Sequence, residues 1–369
     1  MSNSQTQVSP GLWALAWRRL RADKVAMISM TVVVVFLLTI LASFTGLIAA
    51  DWSDEVGVNY APPSFLGAQN AAEQTNVAVA KEEALPENPL DPLKDVIREL
   101  RAQSGSSAPV VVNDYGIPDP LAKELAEIRQ DLAKAGVKAV AVRQPTLRFG
   151  ADKWGHDIIK KTIKGAETSI VVGLVAALLA TVLGTLFGAL SGYYGKWVDD
   201  FFNWFYSIFT SVPYLLLILS VAAVLQKKGV LTIVLILGLT GWTGAYRLIR
   251  AEYIKHKSRE YVMAADAIGA SHWRKMFSHI FPNISHVALV QMSILVVGFI
   301  KSEVILSFLG FGVPVGVVSW GSMLNEAQNE LILGKWWQLV AASIGMAVLV
   351  TAFSLFTDAL RDALDPKLK

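Results

Sequence analysis

The chain has no cysteine among its 369 residues. That excludes disulfides, thiolate zinc or iron–sulfur centres and a catalytic thiol. Charge is also scarce. Asp, Glu, Lys and Arg make up 17% of the chain, against about a quarter in an average soluble domain. No G-x-x-x-x-G-K-S/T motif occurs, so the chain has no phosphate-cradling loop of its own. The pairs Gly195-Lys196 and Gly334-Lys335 are each followed by tryptophan. H-E-x-x-H and G-x-S-x-G are absent too. The apolar runs hold no Ser–His, Asp–Asp or metal set at the spacing of an intramembrane protease. The expectation is therefore no catalytic residue, no metal and no cofactor. The net charge of +3 is too small to argue for nucleic acid.

What fills the space is apolar: 53% of residues are hydrophobic and mean hydropathy is positive. This composition points to an integral membrane protein. Six runs are long enough to cross about 30 Å of hydrocarbon at 1.5 Å per residue. They cover 25–50, 167–192, 200–225, 229–250, 285–308 and 337–360. Arg18, Arg19, Arg21 and Lys24 precede the first run, as in a secretory leader. Its apolar stretch is far longer than a leader's, so it reads as an uncleaved anchor. Six spans put both termini on one side. The short segments on that side, 1–24, 193–199, 251–284 and 361–369, hold most of the Lys and Arg outside the spans and the long loop, whereas the opposite short loops hold only Lys227, Lys228 and Lys335. The positive-inside rule then places both termini in the cytoplasm. Trp13, Trp17, Tyr193, Tyr194 and Trp197 fall at the inner interface, and Trp52, Trp336 and Trp337 at the outer one.

The fold expected is an all-α membrane protein of six transmembrane helices. It divides into a cytoplasmic amphipathic segment (1–24), a first span (25–50), an extracytoplasmic segment (51–166), a five-helix core (167–360) with a cytoplasmic loop at 251–284, and a tail (361–369). In the second span Ala176, Ala180, Gly184, Gly188 and Gly192 recur every four residues, a ladder that favours close packing within one subunit. Pro213 is expected to kink the third span. Residues 67–110 are mostly Ala, Glu, Pro, Gln and Ser, with little to bury. In 121–138, Leu121, Leu125, Ile128 and Leu132 have helical spacing and predict an amphipathic helix. Ile158, Ile159 and Ile163 predict a short interfacial helix before the second span. His156 beside Asp157 reads as a surface polar pair. Lys301 and Glu303 lie toward the outer end of the fifth span. Lys301 reads as a snorkelling or paired cation, while Glu303 is open to both a pathway or gate role and a structural ion pair.

The most informative stretch is REYVMAADAIGASHWRKMFSHIFPN, residues 259–283. Ser258 can cap a helix with Glu260 in its first turn. Gly269 is a natural left-handed stop. Ser271 can cap a second helix running to Phe281, and Pro282 marks the start of the fifth span. Tyr261, Ala265 and Ile268 share one face of the first helix, and Ala264 keeps it slim. Such an elbow suits docking into a groove on another protein, which a plain connecting loop would not require.

This stretch resembles the coupling loop of ABC importer permeases, whose pattern is E-A-A, three residues, Gly, and a proline thirteen residues later. Here it reads Met263-Ala264-Ala265, Gly269 and Pro282. Met263 stands where the family usually has Glu, and Phe281 where Leu is usual. TGWTGAYRLIRAEYI (240–254), LGTLFGALSGYYGKWVDD (183–200), SFLGFGVP (307–314), SWGSML (319–324) and LRDALDPKLK (360–369) are similar to the C-type permease of oligopeptide and dipeptide importers. So is FGADKWGHDIIKK (149–161), with Ala151 for Thr and His156 for Arg. The resemblance covers about 25–50 and 148–369 and leaves 67–145 as an insertion.

It implies a peptide importer permease that is not itself an enzyme. The partners implied are a second permease, two ATPases that bind the ATP, and an external binding protein. Tyr261, Met263, Ala264, Ala265, Asp266, Gly269 and Pro282 become the ATPase-coupling residues, with Pro213 and Glu303 as possible pathway positions. On this reading Gly269→Pro or Ala265→Glu uncouples ATP hydrolysis from transport. Nickel or another small solute remains an alternative cargo. A secondary transporter acting alone would be expected to show internal repeats or mid-membrane acidic residues, and neither is seen; a membrane enzyme would need a catalytic constellation.

Overall fold

A computed structural model describes residues 12–67 and 143–364, with the backbone alone for 12–14. The amphipathic helix expected over 121–138 lies outside the described residues, as do 1–11 and 365–369. The described chain is helical, and its only strand-like pairings are three isolated bridges.

Helix α1 (Leu12–Ala22) leads through Asp23 into α2 (Lys24–Phe44). The Asp23 carboxylate accepts from the amides of Val25 and Ala26 and so caps α2. Helix α3 (Ile158–Tyr194) has 37 residues and spans about 55 Å, well beyond a bilayer core. The separate interfacial helix expected at its start does not form. Asp157 caps α3 directly, and Ile158 is already buried in the continuous helix.

The third span is broken rather than kinked. Helices α4 (Lys196–Thr210) and α5 (Tyr214–Leu225) meet at 83°. Pro213 has no amide hydrogen to continue the ladder, and its ψ of 130° turns the chain out of the helix. Helices α6 (Val230–Thr240) and α7 (Thr243–Lys257) form one 28-residue span that runs past the expected end at 250. After α8 (Glu260–Ala267) comes a π-helical turn, Arg274–Ile280, which passes without interruption into α9 (Phe281–Phe308). Pro282 therefore starts no new span. It sits just beyond the wide turn, where the hydrogen-bond register shifts and a proline ring is accommodated. Helices α10 (Trp320–Ile332) and α11 (Trp337–Leu364) complete the chain.

Helix α3 is the centre of the bundle. Its Ala176, Ala177 and Ala180 are fully buried, and its glycines let α7 approach backbone to backbone. A Cβ on Gly184 would stand 2.6 Å from the Ala245 Cβ, and one on Gly188 would stand 2.8 Å from the Tyr246 carbonyl oxygen. The ladder thus serves packing inside one subunit.

Ala16, Leu20 and Ala26 pack against Ala363 and Leu364, and the Arg19 guanidinium donates to the Ala363 carbonyl at 3.3 Å. The beginning of α2 and the end of α11 therefore share one end of the bundle. Among the described residues five helices are long and apolar enough to cross a membrane, and six if the bent α4–α5 pair is one span. The turn between α7 and α9 lies at that same end, where Glu252, Asn283 and His286 line a cleft with Arg361 and Leu364.

At the opposite end, 55–63 and 144–157 are stitched together. Val58 donates to Gln144 O, Tyr60 to Asp152 O and Ala151 to Ala61 O, at 2.8–3.0 Å. Trp337 Nε1 joins them by donating to Ala151 O at 2.7 Å. The chain therefore leaves toward 67 and returns at 143 on the same small cap.

Candidate coupling site

The elbow begins where α7 ends. Ser258 does not cap α8, contrary to the sequence expectation. Its own backbone closes α7, and its hydroxyl donates to Lys255 O. Extended Arg259 starts α8 with no side-chain cap. Glu260 stands in the first turn, where the helix dipole favours a carboxylate. At the other end Gly269 has φ +77° with open space around it. The amides of Gly269 and Ala270 return to Asp266 O and Ala265 O at 2.9 and 3.0 Å. This left-handed close needs glycine for its backbone angle alone. Arg274 N then approaches Ser271 Oγ at 3.4 Å as the π turn begins.

One face of α8 is seated on the bundle. Val262 and Ala265 are each 4% exposed, and Val262 packs in one cluster with Tyr253, Met276 and Ile280, all fully buried. Ala265 therefore belongs to the seat rather than to the outward face on which the sequence placed it. Tyr261 is tied back to α7, its hydroxyl 2.8 Å from His256 Nδ1. Asp266 pairs with Lys275 across the turn. That pairing, led by the hydrogen bond from Lys275, holds the Asp266 carboxyl below its ordinary range. Tyr253 OH donates to Met276 O at 3.1 Å, and Tyr193 OH meets His272 Nδ1 at 2.9 Å. These contacts fix the elbow to α3, α7 and the foot of α9.

The other face is open. Glu260, Met263, Ala264, Ala267 and Ile268 are exposed, Met263 at 56% and Ile268 at 84%. Their spacing of three and four residues makes one slim, apolar stripe edged by a carboxylate. Beside it lies a cavity of about 340 Å³ walled by Tyr193, Tyr194, Lys257, Met263, Asp266 and Lys275, among others.

The remaining sequence candidates do not join this site. Pro213 lies at the break of the third span and is exposed. Glu303 is completely buried near the other end of the bundle. Its carboxyl accepts from Ser169 Oγ and Ser307 Oγ, both at 2.6 Å. Lys301 points outward and is not its partner. His156 pairs with Asp152 (Nδ1 to Oδ2, 2.9 Å) rather than with Asp157.

Two polar assemblies escaped sequence reasoning because their partners are far apart in the chain. At the capped end Lys161 Nζ reaches Asp152 and Glu326, both at 2.6 Å, and Gln338 at 3.3 Å. Burial alone would raise the Asp152 carboxyl. The bonds from His156 and Lys161 outweigh it and hold the group well below the usual carboxylate range. At the elbow end Arg250 grips Asp199 with two bonds of 2.6 Å.

Residues 184–369 match the family described as binding-protein-dependent transport system inner membrane component, and residues 11–63 match the N-terminal transmembrane domain of oligopeptide transport permease C. Among relatives, the chain is 37% identical over 221 residues to the oligopeptide transport system permease protein OppC of Bacillus subtilis, covering 60% of this chain and 72% of that one. It is 35% identical over 221 residues to the dipeptide transport system permease protein DppC of the same organism, covering 60% and 69%. With DppC of Lactococcus lactis the identity is 31% over 219 residues, covering 59% and 63%. The bundle, the seated elbow and these matches agree: the chain belongs to the binding-protein-dependent transport system inner membrane components, as a multi-pass permease subunit of an ABC importer.

Proposed function

We propose that this chain forms half of the translocation pathway of an ATP-driven peptide importer and couples to its ATPases through the elbow at 259–282. The names of its relatives, permeases for dipeptides and oligopeptides, support peptides as cargo. The end of the bundle holding α1, the elbow and the end of α11 faces the cytoplasm, in keeping with its excess of Lys and Arg. A second permease completes the pathway, two ATPases dock below, and a binding protein delivers cargo to the capped end.

The observation that carries this reading is the unpartnered stripe of Met263, Ala264, Ala267 and Ile268 on a helix rigidly seated by its opposite face. A groove on the ATPase covers that stripe. Closure of the ATPase pair displaces α8, and α7 and α9 follow because Val262 of α8 packs on Tyr253 of α7 and on Met276 and Ile280 of the turn that runs into α9. Transport is driven only if the docked contacts differ between the open and closed states.

The absence of cysteine makes the test clean. Ile268→Cys, in the assembled complex, is expected to crosslink to the ATPase and to react with an impermeant thiol reagent only from the cytoplasm. Trp154→Cys is expected to react only from outside. Reaction of Ile268→Cys from the outside would overturn the reading.

A further inference from the structure

The elbow accounts for motion of α7 and α9, but not of the broken span between α3 and α6. Helix α4 leans on the bundle by one aromatic face: Phe202, Phe205 and Phe209 meet Phe187 and Trp242, and Tyr206 meets Tyr246. None of its residues is fully buried, and Trp197, Phe201, Trp204 and Ile208 are exposed. It joins α3 through Gly195 (φ +69°, with nothing near its Cβ position) and Lys196 (φ +49°). Two consecutive left-handed residues without packing around them make a natural hinge.

To that aromatic contact the first turn of α4 adds one directional attachment. Arg250 Nε and Nη2 donate to the two oxygens of Asp199, each at 2.6 Å. A forked guanidinium fixes both distance and angle, which a single donor cannot do. The carboxylate also accepts from Ser191 Oγ. Tyr246 OH lies 3.0 Å from Ser191 Oγ and 3.3 Å from Asn203 Oδ1. The clamp thus joins the first turn of α4 to α7 and α3 together. Helix α7 is in turn inseparable from α3. A Cβ on Gly188 would stand 2.9 Å from Arg250 N, and one on Gly192 would stand 2.6 Å from Arg250 O. Two turns beyond Arg250, α7 ends at the elbow.

We propose that Asp199 and Arg250 are a positioning pair that makes α4 follow α7, so that displacement of the elbow also moves the broken span across its bend at Pro213. This rests on the coupling reading above. Without the clamp only the non-directional aromatic contact is left to carry α4, so α4 slips about Gly195 as the elbow moves. ATP is then still consumed while cargo transfer fails.

The test uses the whole importer, reconstituted with both permeases, ATPases and binding protein. Three variants are prepared: Asp199→Ala, Arg250→Lys, and the double variant Asp199→Cys with Arg250→Cys. The first is expected to keep ATP hydrolysis near the unmodified level while cargo moved per ATP falls roughly tenfold, within the usual range for coupling between sites. Arg250→Lys keeps the charge but loses the fork, so a smaller loss in the same ratio is expected with assembly intact. Joining the two cysteines with a flexible bis-maleimide is expected to restore the ratio, since the proposed role is mechanical. A fall of hydrolysis and uptake together, an unchanged ratio, or no recovery on linking would overturn the proposal. Should Ile268→Cys crosslink to the ATPase while Asp199→Ala transports normally, the clamp fails and the elbow reading stands. If Ile268→Cys proves to face outside, the reading beneath both fails.

Discussion

Glu330 offers the sharpest physical test of the capped end. It lies in α10, 1% exposed, and neither carboxylate oxygen has a hydrogen bond among the described residues. Burial raises it most; Lys161 pulls it down, and Asp152 and Glu326 push it up again. The Lys153 amide is the one backbone donor that approaches it, and Tyr60, also shifted upward by burial, is its remaining titratable neighbour. The outcome is a group displaced from an ordinary 4.5 to about 7.

That displacement corresponds to roughly 3 kcal/mol at about 1.36 kcal/mol per pKa unit, an upper value because α10 can shift to hydrate the charge. The sign is fixed. A neutral carboxyl is favoured by the fold, so its share of stability is whole below pH 4.5 and is lost as pH rises through 7. Glu330→Gln removes the titration and keeps the shape. Paired thermal unfolding from pH 5 to pH 8 in one detergent, followed by tryptophan fluorescence, measures the difference. The variant is expected to gain on the parent steadily across that range, by several degrees at pH 8. Parallel curves with a constant offset would refute the assignment.

Packing at the α3–α7 contact gives a second prediction. Gly188→Ala places a methyl 2.8 Å from a backbone oxygen and is expected to lower stability by about 1–3 kcal/mol. Gly298→Ala, with nothing within 4 Å of its new methyl, is expected to be neutral or mildly stabilising by helix propensity; equal melting losses in both would count against the packing argument. At the elbow, Met263→Glu puts a carboxylate on the exposed stripe and is expected to keep uptake at or above the parental rate. Gly269→Pro forces φ from +77° to about −65° and is expected to leave the protein assembled but uncoupled. Ala265→Glu, by contrast, drives a charge into the seat and is expected to lose assembly outright. Normal uptake by Gly269→Pro would show that elbow geometry does not matter.

The spans were legible because hydropathy over some twenty residues is a one-dimensional signal. Length and bend were less so. Ile158 and Ile163 gave α3 the pattern of an interfacial helix, but Asp157 caps it and the outer cap buries its first turns, so the helix simply continues. Pro213 announced a disturbance without its size. The 83° break also needs extended ψ at Pro213, which a sequence does not state.

For the elbow, Gly269 was legible because a left-handed close has almost one possible residue. The docking face was not. Spacing correctly puts Tyr261, Ala265 and Ile268 on neighbouring positions of a helix, yet spacing alone cannot say which side faces the bundle. That is decided by Met276, Ile280 and Tyr253, which cluster with Val262 and make it the seat, with Ala265 buried beside it. Once the seat is fixed, the rest of α8 has no choice. Met263, Ala264, Ala267 and Ile268 must face away, and Ile268 is left 84% exposed at the tip. An isoleucine so placed on a helix held by buried tyrosines and an ion pair is anchored too firmly to fold back and cover itself. Only a second surface can take it out of water.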